Sequence, residues 1–62
     1  MTTEQLEKKG FKKRATTMGF CYRLKVAPKV YVHASYLKTG EVHTLQFYDK
    51  SRDEYSPGIN MI

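Results

Sequence analysis

Three side chains in this 62-residue sequence carry thiol or imidazole chemistry: Cys21, His33 and His43. A zinc site needs three or four such ligands, usually in closely spaced pairs, and no CxxC or HxxxH spacing occurs here. Cys21 lies two residues from Arg23, and a cation can lower a thiol's pKa. A lone thiol on a strand is more often a bystander than a nucleophile. There is no glycine-rich phosphate loop and no serine elbow. The sequence therefore predicts no catalytic residue, no metal site and no cofactor, and the chain does not read as an enzyme.

Cations interleaved with aromatic rings are the other chemistry on offer. In "FCYRLKV", residues 20–26, Phe20, Tyr22, Leu24 and Val26 alternate with Cys21, Arg23 and Lys25. That period of two is a strand with one apolar and one cationic side. Upstream, Lys8, Lys9, Lys12, Lys13 and Arg14 form a basic run. Aromatic planes that stack on bases, together with cations that meet phosphates, are what single-stranded nucleic-acid sites require. The same residue types are enriched at protein interfaces, and Tyr and Thr also occur on solvated sheet faces simply as good strand formers.

The charge is lopsided. Of a net +5, residues 1–30 hold eight Lys or Arg against Glu4 and Glu7, whereas residues 31–62 carry one more acid than base. Such asymmetry favours a polyanionic partner, although lysine also serves solubility. No apolar run approaches the ~20 residues needed to cross a bilayer. The N-terminus contains acids and lacks the apolar stretch of a secretory signal. A reducing, cytoplasmic setting is the expectation for a chain with a single cysteine.

These residues must be placed by a small fold, since a chain of this length makes one domain, residues 1–62, near the lower limit for a self-sufficient core. "TTEQLEKKGF" predicts a short helix. Thr2 with Gln5 fits a capping box, and Gly10 suits a left-handed stop that returns Phe11 onto Leu6. "KKRATTMG" has no apolar period and reads as a connector or an edge strand. Strands are expected at about 19–26, 30–37 and 42–48, joined by "APK" and by "KTGE" around Gly40. The tail after Asp49 reads as irregular, with a turn at Ser56-Pro57-Gly58-Ile59 and an apolar end that packs on the sheet or pairs with another chain.

Pairing Val26 with Val30 and Leu37 with Val42 puts Phe20, Tyr22, Leu24, Val26, Val30, Val32, Ala34, Tyr36, Leu45 and Phe47 on one core face. A three-residue Lys38-Thr39-Gly40 loop is better turn chemistry, but it slips the second hairpin by one and reverses Leu45 and Phe47. Packing favours the first register. The opposite face then gathers Cys21, Arg23, Lys25, Tyr31, His33, Ser35, Leu37, Val42, Thr44, Gln46 and Tyr48, with Lys25 beside Tyr31, Tyr31 beside Tyr48, and His33 between Arg23 and Gln46.

The fold expected is α+β, a short N-terminal helix packed on a three-stranded antiparallel meander with an irregular C-terminal tail. The function expected is a small basic nucleic-acid-binding or regulatory protein, with single strands favoured. Its candidate contacts are Lys12, Lys13, Arg14, Arg23, Lys25, Tyr31, His33, Gln46 and Tyr48. The alternative is an inhibitor or accessory module that binds an acidic protein surface through the outer face or a sheet edge; phages and other mobile elements make many such chains. Two open edges and a thin core point to a homodimer under either reading.

Overall fold

The computed structural model describes residues 1–17 and 19–62; Met18, in the basic connector, lies outside the described residues. Helix α1, Thr3–Lys8, forms as its local signals dictate. The Thr2 side chain accepts from the Gln5 N–H, and the Gln5 side chain accepts from the Thr2 N–H. At the other end Gly10 takes φ +97°. Its N–H donates to the Glu7 carbonyl, and the Phe11 N–H donates to the Leu6 carbonyl at 3.0 Å. That is a Schellman ending, and it buries both Leu6 and Phe11.

Among the described residues, six strands follow rather than three: β1 (Lys12–Thr16), β2 (Gly19–Ala27), β3 (Val30–Tyr36), β4 (Val42–Asp49), β5 (Glu54–Tyr55) and β6 (Ile59–Asn60). The order across the antiparallel sheet is β1-β2-β3-β4-β5, and β6 also pairs with β4. The expected meander is its centre. The basic connector is an edge strand, in register Lys12 with Arg23 and Arg14 with Cys21. The tail, expected to be irregular, is a broken fifth strand. Tyr55 pairs with Tyr48 and Ile59 with Leu45, and the two pieces are offset by one residue across Ser56-Pro57-Gly58. A Cβ on Gly58 would fall 2.6 Å from the Thr44 methyl, so close approach of tail and sheet requires glycine there.

Both hairpins keep the expected central register and depart from it at their ends. Leu24 pairs with Val32 and Tyr22 with Ala34, but Ala27, not Val26, meets Val30, so Val26 is a bulge before a two-residue Pro28-Lys29 turn. Lys29 is left-handed, φ +62°, so Pro second and a left-handed residue third match a type II pattern. Type II twists against the strands, and the bulge absorbs the misfit. In the second hairpin Ala34 meets Leu45 and Val32 meets Phe47, as packing requires. The loop is nonetheless Lys38-Thr39-Gly40, with Gly40 left-handed and the Leu37 N–H on the Glu41 carbonyl. A bulge at His43 reconciles the two demands. It pairs Tyr36 with Val42 and turns Val42 inward.

That reversal corrects one assignment. Val42, expected on the outer face, is fully buried with Leu6, Phe11, Tyr22 and Ala34; Leu24, Val32, Tyr36, Leu45 and Met61 pack around them. Phe20, Val26 and Phe47, expected in the core, are exposed by about half or more. The cause is the helix, whose six residues span only about 9 Å and cannot roof the whole apolar face. Among the described residues, no helix is long and apolar enough to cross a membrane.

A cationic notch beside a closed aromatic cluster

The sheet brings the sequence-singled residues together, and the bulges decide how. On the face opposite the helix, two cross-strand rows form. One runs Lys12, Arg23, His33, Gln46; the other runs Lys25, Tyr31, Tyr48, Tyr55. Arg14 lies beside Cys21 on the same face. Lys13, between Lys12 and Arg14, points to the helix side, where its Nζ sits 4.6 Å from the centre of the Phe20 ring. The basic run therefore straddles the sheet edge, because neighbouring residues on a strand face opposite ways.

Half of this surface is closed. The Arg23 guanidinium lies over the Tyr48 ring at 4.4 Å, donates to the Tyr55 hydroxyl at 2.8 Å and donates from Nε to His33 Nδ1 at 3.3 Å. Tyr55 in turn meets Tyr48 at 4.6 Å and His33 edge-on at 5.3 Å. The Tyr48 hydroxyl donates to Asp53 at 2.6 Å, and Gln46 donates to the Ser56 carbonyl at 3.1 Å. Tyr48, expected on an open face, is therefore buried. The short β5 strand lays Tyr55 across it. Tyr55 escaped the sequence reading because a two-residue strand shows no periodicity; the signal available was an aromatic residue in the otherwise polar run from Lys50 to Ser56.

The electrostatics follow these contacts. Burial, then the Arg23 charge, lowers the His33 pKa, since both disfavour an imidazolium. The hydrogen bond to Asp53, assisted by burial, raises the Tyr48 phenol. On the helix side, burial and the Glu7 carboxylate raise Tyr22, whose hydroxyl donates to Glu7 at 3.3 Å.

The other half is open. The β1 ladder ends at the Lys12–Arg23 pair, where the chain leaves for Gly10 and the helix, while β2 continues. The step leaves a concavity of about 510 Å³ lined by Lys12, Lys13, Arg14, Arg23, Lys25 and Tyr31, with Gly10 and Leu24 between them. Tyr31 is the ring that remains beside these cations, 6.4 Å from Tyr48. With Arg23 held by the aromatic cluster and Lys13 turned to the helix side, Lys12, Arg14 and Lys25 supply the outward charge. Such a site can hold an anion by charge and by Arg or Lys hydrogen bonds. The remaining thiol and imidazole groups lie apart from it. Cys21 is buried, and His43 shares a 2.6 Å hydrogen bond with the Thr44 hydroxyl. Among the described residues, no three of His, Cys, Asp and Glu come together as a metal site would need. No family model matches this chain, and neither a curated protein nor a solved structure matches it.

Proposed function

We propose that this chain is a small, non-catalytic nucleic-acid-binding protein that grips the phosphate backbone along the β1–β2 hairpin. The observation that carries the reading is the concavity lined by Lys12, Lys13, Arg14, Arg23 and Lys25. Alternate residues on a strand are about 7 Å apart and neighbouring strands about 4.8 Å, so Lys12, Arg14 and Lys25 form a short track on one face, with Lys13 at its rim. With Tyr48 and Tyr55 occupied by one another, base stacking falls to Tyr31. The grip is mostly electrostatic and largely indifferent to sequence.

Titration of labelled single- and double-stranded oligonucleotides at two salt concentrations tests this. Binding should weaken steeply with salt, and neutralising Lys12, Lys13 or Arg14 should flatten the salt slope by roughly one unit per lost contact. A modest preference for single strands should disappear in Tyr31→Ala, at a cost of ~1–3 kcal/mol and without a change of slope. Micromolar protein that binds neither strand type at low salt would sink the reading. One observation favours the alternative, an acidic protein partner. Every residue of the outermost strand β1 is exposed, and such an edge can accept an extended acidic peptide as a further strand.

A further inference from the structure

We infer that the part of the apolar sheet face left bare by the helix is the contact surface for a second copy of this chain. Val32, Leu45, Phe47, Pro57 and Ile59, with Gln46 and Ser56, line a groove of about 310 Å³. Phe47 is 56 % exposed and Ile59 64 %, although Phe47 sits opposite Val32 and Ile59 opposite Leu45, both of which pack against the core. Side chains continuous with a core, yet open to water, mark a surface completed by a partner.

Two features single out a second copy. The sheet edges are unsuited to self-pairing. The outer edge of β4 is occupied by Met1–Thr2, β6 and β5, and the β1 edge would set Lys12, Lys13 and Arg14 against the same cations of its mate. The apolar groove instead has flanks of mixed sign, with Asp49 and Glu54 near Val30 and Phe47 and Lys29 and Lys50 on the adjoining turns, joined by the Lys50 N–H to Lys29 carbonyl bond. A two-fold contact there meets no block of like charge. Face-to-face pairing leaves Lys12, Arg14 and Lys25 outward on both copies.

Sedimentation velocity over micromolar to millimolar protein, free of nucleic acid and at high salt, tests the inference without touching the binding reading. A reversible monomer–dimer equilibrium is expected, weakened at least tenfold by Phe47→Asp and by Ile59→Lys. Ile59 is the more exposed and lies on a two-residue strand, so its variant reports even if Phe47→Asp fails to fold; circular dichroism of each monomer checks the fold. Arg14→Glu should leave dimerisation unchanged. A monomer at every concentration overturns the inference. So does a dimer that survives Ile59→Lys, one that responds to Arg14→Glu instead, or growth past the dimer.

Discussion

Tyr31 and Tyr48 stand opposite each other on adjacent strands, yet substitution should separate them. Tyr48 is buried under Tyr55 and Arg23 and donates to Asp53. Its change to Ala removes a packed ring and leaves part of the cluster without partners, so a stability loss of ~3 kcal/mol is expected in denaturant melts. Tyr31→Ala should leave the melt within about 1 kcal/mol of wild type and act on binding. His33 gives the cluster a pH dependence. Its folded pKa is lowered by burial and Arg23, so below the ordinary value of ~6.5 the unfolded chain binds more protons. Stability should therefore be full above that value and fall as pH drops through it towards the folded pKa. Protonation at Nδ1 also removes the acceptor that Arg23 uses. His33→Gln should flatten the pH dependence of the melting temperature below about pH 6.5. Asp49, lowered by its Ser51 hydrogen bonds, acts in the same direction, but below the ordinary carboxylate range.

At the scale of elements, the helix and the central meander were legible because their signals are local. Thr2, Gln5 and Gly10 specify both ends of α1, and the alternation from Phe20 to Val26 specifies β2. The hairpin from Val30 to Asp49 posed a choice between turn chemistry and packing, and the chain satisfies both by inserting His43. A bulge leaves no mark in periodicity, so Val42 could not be placed from sequence. The tail was opaque for another reason. Its two strands have two residues each, and Ser-Pro-Gly between them reads as a turn whether or not the flanks pair. Gly58 now offers a test of that element. Gly58→Ala places a methyl 2.6 Å from the Thr44 side chain and should detach β6. The Met61 amide, bonded to the His43 carbonyl at 2.8 Å, should then lose hydrogen-exchange protection by tenfold or more, while the amides of β2 and β3 keep theirs.

For the molecule as a whole, the charge asymmetry of the sequence becomes a spatial one. The cations of β1 and β2 crowd one end of the sheet order, and Asp49, Asp53 and Glu54 lie at the other. Like charges at one edge repel, and salt screens them over about 10 Å at 0.1 M. Raising salt from about 0.01 to 0.15 M should thus raise the melting temperature of the free protein. It should also weaken its hold on an oligonucleotide. A melting temperature that falls with added salt would show that attraction between the two ends outweighs repulsion within the cationic one.

The outer edge of β4 also bears on how the chain acquires its structure. Met1 and Thr2 meet residues 41 and 42, and Met61 meets His43, so both ends of the sequence converge on one short run in its middle. Closing a loop of about 40 residues costs about 3 kcal/mol of chain entropy before any contact rewards it. On a ribosome the first residues emerge seconds before that partner does, at roughly 5–20 residues per second. The N-terminal turn, too short to persist by itself, must wait. Folding should then be late and concerted, its rate set by these long-range closures onto residues 41–43 rather than by a local turn.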